Sequence, residues 1–478
     1  MTHRVLPAEK PTETCRVSEP STYEYVTKNR IQPSDRPLHG WYRFVLGYPP
    51  HLVREYLKKL GADPSRDWVF DPFCGTATTP VEARLQGYAT CSLDANPISI
   101  LATRVKLSWD IDLHRARERL DDVVEAAAAS LRGTGLPPLL TYQLSFMSTQ
   151  VLKERPLQAK PSTDGFDPEK LLPAGASSLV PQGFISPKPL TRVLATRDAI
   201  EKVVAEQDVR DFMTLALANT IVTTAGNVGF GPEVYRLPPR DDADVLGAFA
   251  QTVMRMIEDL AAVRATHPNP APAYVSQGDA RTLAALDPHL QIGIVITSPP
   301  YPNEKDYTRS TRLESVLLGM IRSKRDLQDV KSRLLRSNTR NVFASDTDDE
   351  VIRDIRSVTA VANEIELRRV GLGKTSGFER LYHRVTRLYF GGMYRHLVAL
   401  SARLAPGARC AYVVGDQMSY FRVPIRTAHL LADVATKAGY QVEGIELWRT
   451  RRSTTTGADL EENVLILRYP EVKGGKHA

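Results

Sequence analysis

Cysteine is scarce in this chain. There are four among 478 residues (Cys15, Cys74, Cys91 and Cys410), with no CxxC pair and no cysteine at metal-ligand spacing from a histidine. That excludes a disulfide scaffold and provides no structural zinc site, and it points to a reducing, cytoplasmic setting. Long apolar runs are absent too, and Met1 to Lys10 has no hydrophobic signal core, so the expectation is a soluble protein that stays inside the cell. There is no P-loop and no three-glycine dinucleotide fingerprint, which makes ATP and NAD poor fits. No internal repeat occurs at a fixed period, so a solenoid is excluded. Acidic residues are outnumbered 55 to 62 by Lys and Arg, giving a formal charge of +7 and a pI of 9.1. A basic balance of this kind fits a polyanionic partner as well as it fits a solvated surface. With 42% hydrophobic and 24% charged residues, the chain is otherwise an ordinary globular protein able to bury a sizeable core.

Short apolar strands alternate with helical periodicity. Residues 1–35 lack periodicity and read as a flexible arm. Residues 36–110 then contain a helix closed by Gly61, the strand Trp68-Val69-Phe70, a Gly/Thr turn, a helix from Pro80 to Leu85, a strand from Ala89 to Leu93 ending at Asp94, and a helix from Ile98 to Lys106. This succession is the opening of a parallel α/β sheet. Residues 111–272 have mainly helical periodicity, interrupted by a Pro/Gly/Ser-rich excursion at Pro156 to Pro189. Strands resume at Ala273-Tyr274-Val275 and Ile292 to Ile296, within residues 273–305. A second, Arg-dense helical insertion spans 306–385. Residues 386–478 supply a helix from Tyr389 to Leu404 that ends at Pro406-Gly407, the strand Cys410 to Val414, a helix capped by Gly439, and two last strands joined by the connector Arg449 to Glu462. One doubly wound domain split by two largely helical insertions accounts for this order.

Thr297-Ser298-Pro299-Pro300-Tyr301 follows the apolar run of a buried strand. Two successive prolines can neither extend a ladder nor start a helix interior, so a hydroxyl, free carbonyls and an aromatic ring are held side by side at the strand's carboxyl end. In open α/β sheets that edge binds ligands. At the first strand's end, Asp71-Pro72-Phe73-Cys74-Gly75-Thr76 is a turn whose glycine allows close approach and whose following helix offers unpaired N–H groups. Asp94, with Ala95 and Asn96 after it, is placed to accept ribose hydroxyls, and Asp279, followed by Ala280, to accept from the amine of adenine. Together these positions favour an adenosyl cofactor. Singly, each aspartate fits a helix cap or solvated strand end equally well.

The pair Asp71-Pro72-Phe73-Cys74-Gly75-Thr76 and Thr297-Ser298-Pro299-Pro300-Tyr301 resembles the S-adenosylmethionine-dependent DNA amino-methyltransferases, and the serine in the second motif is similar to the N4-cytosine branch. The resemblance covers the sheet and neither insertion. It implies a mostly parallel, seven-stranded, Rossmann-like methyltransferase sheet with S-adenosyl-L-methionine held by Asp71 to Thr76, Asp94 to Asn96, Asp279, Ala280 and Thr297, with Trp41, Tyr48 and Pro49 helping to hold its methionine part. It further implies catalysis by Ser298, Pro299, Pro300 and Tyr301 on cytosine N4 of double-stranded DNA, with no metal, in a restriction-modification or phage-defence setting with a companion endonuclease or defence subunit. The family's cofactor loop reads Phe-x-Gly-x-Gly, whereas Phe73-Cys74-Gly75-Thr76-Ala77 ends in alanine. Carbon-5 methylation is disfavoured because no cysteine follows a proline, which leaves Cys74 as a small packing residue. N6-adenine methylation, methylation of a tRNA base and a non-catalytic nucleic-acid-binding subunit stay open on these residues. DNA contact is expected from the Arg-rich segment Arg309, Arg312, Arg322, Lys324, Arg325, Lys331, Arg333, Arg336 and Arg340 and from Arg449, Arg451 and Arg452. The Gly-rich stretch Asn227 to Glu233 reads as a surface turn or as a loop entering a groove.

Overall fold

The computed structural model describes residues 31–42, 47–139, 172, 175–231, 234–302, 305–452, 457 and 459–471. The expected arm therefore lies largely outside the described residues, as does most of the Pro156 to Pro189 excursion. Seven strands form one sheet: β1 (Trp68–Asp71), β2 (Ala89–Asp94), β3 (Ala273–Gln277), β4 (Ile292–Thr297), β5 (Leu404–Gly415), β6 (Gln441–Arg452) and β7 (Asp459–Arg468). Their order is β6-β7-β5-β4-β1-β2-β3. β7 runs antiparallel to both its neighbours and every other pairing is parallel. The sheet is doubly wound, mostly parallel and Rossmann-like.

Alternate residues of these strands feed two opposite cores. On one face Val69, Ile294, Ile296, Ala411, Val413, Val464 and Ile466 pack against α1 (Pro50–Lys59) and α2 (Thr78–Leu85). On the other, Phe70, Val295, Cys410, Tyr412, Val414, Leu465 and Leu467 pack against α10 (Tyr382–Ser401) and α11 (Thr427–Lys437). Strands buried on both faces read as continuous apolar runs, which is why β4 is fully buried at all six positions. Each large aliphatic side chain there contributes roughly 1.5–3 kcal/mol by burial.

The first insertion extends the layer of α3 (Pro97–Leu107). Its helices α4 (Leu113–Gly133), α5 (Pro187–Val203), α6 (Gln207–Thr220) and α7 (Val245–Thr266) share one continuous core with Ile98, Leu101 and Val105 of α3 and with Trp41, Tyr42, Ala77 and Val81. The second insertion, with α8 (Lys324–Arg333) and α9 (Arg356–Gly371), joins the opposite core through Leu335, Ile352, Val358 and Ile365. Among the described residues no helix is long and apolar enough to cross a membrane.

Four local expectations change. The helix expected over Tyr389 to Leu404 starts earlier, at Tyr382, and stops at Ser401. Pro406-Gly407 lies inside β5, with Gly407 at φ 78° where the pairing with β4 shifts register, so this Pro-Gly pair marks a strand irregularity and not a helix stop. The connector Arg449 to Glu462 shortens, because both last strands continue to Arg452 and from Asp459. Of Asn227 to Glu233, Pro232 and Glu233 lie outside the described residues, and the rest is tied down. Val228–Phe230 pairs with Val234–Arg236, and buried Asn227 donates to Ser186 and accepts from the Arg240 amide.

Glu314, in the short helix Arg312–Leu317, is buried and accepts a hydrogen bond from the Tyr42 hydroxyl. Burial raises its pKa to about 7, against the partial relief of that bond. A folded pKa above the unfolded value means the stabilisation is fully present below about pH 4.5 and is lost as pH rises to about 7. Glu314→Gln is therefore expected to flatten the stability profile between those limits and to gain up to roughly 3 kcal/mol above them. Urea unfolding of both proteins at pH 5 and pH 8 checks this, and an equal difference at the two pH values would refute it.

Candidate active site

In this strand order the chain winds outward from β1 to β3 on one side and from β4 to β5 on the other. The loops leaving β1 and β4 thus part in opposite directions and open a crevice at the carboxyl end of the sheet. The crevice is a cavity of about 770 Å³. Its wall brings together the ends of β1 (Pro72 to Thr76), β2 (Asp94, Ala95, Asn96), β3 (Gly278, Ala280) and β4 (Ser298 to Pro302).

The β1 turn is built for close approach. Gly75 has φ 48°, a left-handed conformation that glycine takes without steric cost, and a Cβ there would meet nothing within 4 Å. Ala77 also takes the left-handed conformation, φ 74° and ψ 31°, just before α2. The alanine that departs from the Phe-x-Gly-x-Gly pattern thus keeps a backbone suited to glycine, while its methyl group is buried in the core. Lys106, itself buried, donates to the Thr76 carbonyl and to that of Tyr42 (2.7 Å each). The Asp94 carboxylate accepts from the Gly75 amide (2.9 Å) and the Asn96 amide (2.8 Å), so it fixes the turn and its own loop while lining the cavity. Burial lifts its pKa, and hydrogen bonds from the Asn96, Gly75 and Ala95 backbone partly offset the lift. Each carboxylate oxygen keeps a further lone pair for a ligand hydroxyl.

Asp71 is a brace, and it does not line the cavity. Its buried carboxylate accepts from the Thr297 hydroxyl of β4 (2.6 Å), the Phe73 amide (3.1 Å) and the Tyr48 hydroxyl (2.9 Å). Tyr48 is also hydrogen-bonded to Thr79. One side chain thereby ties β1, β4 and the segment before α1, and burial raises its pKa to about 6. Tyr48 reaches the cavity wall, but Pro49 and Thr297 do not. Trp41 lies apart from the cavity. It is fully buried, donates to Asp259 (2.8 Å) and packs edge-on against Phe212, which makes it an anchor of the first insertion. The Asp279 carboxylate is held by Arg281 at 2.7 Å and is likewise absent from the wall, where its neighbours Gly278 and Ala280 appear. Its expected hydrogen bond to adenine finds no free carboxylate in this conformation. Cys74 is part of the cavity wall, but burial and the carboxylates of Asp94 and Asp71 push its thiol pKa far up, so it is no thiolate nucleophile.

Ser298, Pro299, Pro300 and Tyr301 all face the same cavity. The Ser298 and Tyr301 hydroxyls are hydrogen-bonded, and the Tyr301 amide donates to Tyr307 (3.1 Å). The Tyr301 ring lies against Gly415 at the end of β5, where an added Cβ would come within 2.9 Å of it. Burial, with Glu462 nearby, keeps the Tyr301 phenol protonated. Beyond Tyr301 the wall turns basic, with Lys305, Arg333, Arg422, Arg449, Arg451 and Arg452, and among the described residues the one carboxylate in that half, Glu462, is paired with Arg449.

Of the basic residues expected to meet a polyanion, several are consumed internally. Arg336 is buried against Asp346 (2.8 Å), while Lys331 (2.9 Å) and Arg312 (3.7 Å) pair with Asp306. From that segment only Arg333 reaches the cavity, whereas Arg449, Arg451 and Arg452 all do. The sequence reading missed Lys305, Tyr382, Tyr420, Arg422, Trp448 and Glu462 on the wall, and it missed His396 beneath it. His396 is hydrogen-bonded to the Ala280 carbonyl and Tyr412 hydroxyl (2.8 Å each), and burial lowers its pKa to about 4. The polar stretch Gly415-Asp416-Gln417-Met418-Ser419-Tyr420 after a buried strand carried a signal for part of this set, since strand ends gather ligand contacts.

No protein-family model matches the chain. Over 90 residues it is 28% identical to the type II methyltransferase M.BsoBI of Geobacillus stearothermophilus, a match spanning 19% of this chain and 18% of that protein. Among solved structures, the rRNA methyltransferase aviRa of Streptomyces viridochromogenes aligns over 90% of this chain and 87% of its own, at 9% identity and a TM-score of 0.27. A structure concerning conversion of a disulfide bond into a thioacetal group during echinomycin biosynthesis aligns over 87% of this chain and 80% of its own, at 10% identity and the same TM-score.

Proposed function

We propose that the protein transfers a methyl group from S-adenosylmethionine to the exocyclic N4 of cytosine in duplex DNA. The observation that carries this reading is the shared cavity, in which the Ser298-Pro299-Pro300-Tyr301 loop opens beside Asp94 and the Gly75 turn. The stretch similar to a type II methyltransferase supports it.

The residues of the cofactor half fit an adenosyl sulfonium. Asp94 would accept from the ribose hydroxyls, Gly75 leaves room for close approach, and Pro72, Phe73, Ala95 and Ala280 offer apolar surface to adenine. When bound, S-adenosylmethionine supplies an electrophilic methyl group. The chain's task is to prepare the nucleophile. The lone pair of an aryl amine is delocalised into its ring, so acceptors that hold both amine hydrogens localise it and stabilise the developing positive charge. The Ser298 hydroxyl and the Pro299 carbonyl have that role. A Ser298 hydroxyl that donates to Tyr301 keeps its lone pairs for an incoming N–H. Tyr301 stacks on the base, which has to leave the duplex because its amino group is out of reach within the stack. The basic half of the cavity takes the strand's phosphates. A restriction-modification or defence setting, with a companion endonuclease, belongs to the same proposal.

Incubation with labelled S-adenosylmethionine and either duplex DNA or tRNA tests the substrate class. Label in DNA of suitable sequence supports the reading, and label in tRNA alone overturns it. The loop's seating gives a further test. Gly415→Ala pushes a methyl group into the Tyr301 ring and is expected to lower turnover about tenfold with cofactor affinity within twofold. Unchanged turnover would show that Tyr301 need not sit where it does.

A further inference from the structure

Beside the basic half of the cavity stands a group of aromatic rings that the proposed transfer chemistry does not use. Tyr382, at the start of α10, stacks face to face on Tyr420, with centroids 5.1 Å apart and planes 4° apart. Phe378 stands edge-on to both, at 6.2 Å and 5.9 Å. Phe421, buried at 4% exposure, meets Tyr382 edge-on from within at 5.5 Å. Tyr420 and Phe378 are nevertheless 53% and 48% exposed. Large aromatic side chains left this open beside a ligand cavity mark a binding surface.

The platform is rigid by construction. Tyr420 and Phe421 sit at the tip of the small hairpin formed by Gln417–Met418 and Pro424–Ile425. Ser419 closes that tip. Its amide donates to the Val423 carbonyl (2.9 Å), its hydroxyl accepts from the Val423 amide (2.9 Å), and its carbonyl accepts from the Arg422 amide (2.8 Å). Arg368 of α9 donates to the Phe421 carbonyl (3.3 Å) and to that of Arg422 (3.0 Å), which pins the tip to the second insertion. Arg422 takes φ 60°, a left-handed backbone that brings its side chain to the cavity wall beside Tyr420. The result is a stack of two rings whose outer member is exposed, flanked by cations.

Resting on the methyltransferase reading above, we propose that the Tyr420–Tyr382 stack, edged by Phe378, receives an unpaired base of the DNA strand that enters the cavity, a base other than the one presented to Ser298. A third ring laid on the outer face of Tyr420 continues the existing stack. The charge around it selects the ligand. Among the described residues five arginines and Lys305 line the cavity, against the carboxylates Asp94 and Glu462, so the ring that arrives carries phosphates with it. Aromatic stacking on such a platform tolerates any base, because every base has a π-face. The shelf therefore contributes affinity and leaves sequence choice to other residues.

The test uses the full chain and mixed-sequence single-stranded DNA, with binding followed by anisotropy at several salt concentrations. Tyr420→Ala is expected to weaken binding about tenfold with the salt slope unchanged, since stacking releases no counterions, while Tyr420→Trp binds like the wild type. Phe378→Ala gives an independent loss from a second exposed position. Arg422→Gln weakens binding with a salt slope shallower by about one. Wild-type affinity in both Tyr420→Ala and Phe378→Ala, alongside intact DNA binding by the wild type, would overturn the shelf and leave the methyl-transfer reading standing. A wild type that binds S-adenosylmethionine yet no nucleic acid would overturn both. Dependence on Tyr420 with RNA but not with DNA would overturn the assignment to a DNA base.

Discussion

Ser298→Ala is expected to lower the turnover of methyl transfer about 100-fold while leaving S-adenosylmethionine affinity within about twofold. Ser298 borders the cavity at the end of β4, with its hydroxyl bonded to Tyr301, whereas the Asp94 carboxylate holds the Gly75 and Asn96 amides. A hydrogen bond to a nitrogen that becomes positive strengthens as the methyl group arrives, so its loss appears in kcat more than in KM. Isothermal titration of the cofactor and single-turnover transfer to DNA separate the two quantities. Equal losses in both would show that Ser298 supports the pocket and does not act on the amine.

Asp94→Ala is expected to do the reverse. Cofactor affinity should fall about 100-fold, since two charge-assisted contacts to a ligand are removed along with the anchors of two backbone amides. The carboxylate holds the Gly75 and Asn96 amides, so its loss loosens both loops that form the cofactor half. At saturating cofactor the rate should recover to within a few-fold of the wild type, because the Ser298 loop is held elsewhere, by Tyr307 and by the contact with Gly415. Asp94→Asn keeps acceptor capacity on one oxygen only and should fall between the two. Unchanged affinity in Asp94→Ala would remove it from the cofactor's contacts.

Much of this site could be read from the sequence because its parts obey local rules. A fully buried parallel strand announces itself as an apolar run, and the residues just beyond it, Asp71 to Thr76, Asp94 to Asn96 and Ser298 to Tyr301, fall at the sheet's carboxyl edge whatever the insertions do. What could not be read depends on pairings distant in sequence. Asp71 looks like a ligand contact until Thr297 and Tyr48 are seen to occupy its carboxylate. Asp279 looks free until Arg281 closes on it. Trp41 falls before the cofactor loop in sequence, yet its indole is bonded to Asp259 on α7. The Arg-dense segment misled for the same reason. A charge count does not distinguish a phosphate-binding arginine from Arg336, which is buried on Asp346. The aromatic shelf joins rings from two elements, Phe378 and Tyr382 near the start of α10 and Tyr420 after β5, and no spacing rule connects them.

The identity of the methylated base separates transfer to cytosine N4 from every other methylation. Duplex DNA of varied sequence is incubated with the protein and S-adenosylmethionine, digested to nucleosides and resolved by mass spectrometry, with the Ser298→Ala variant in parallel. N4-methylcytosine is expected from the wild type, and about one-hundredth of its initial rate of formation from the variant. N6-methyladenine, 5-methylcytosine or no methylated nucleoside in the wild-type digest would contradict it.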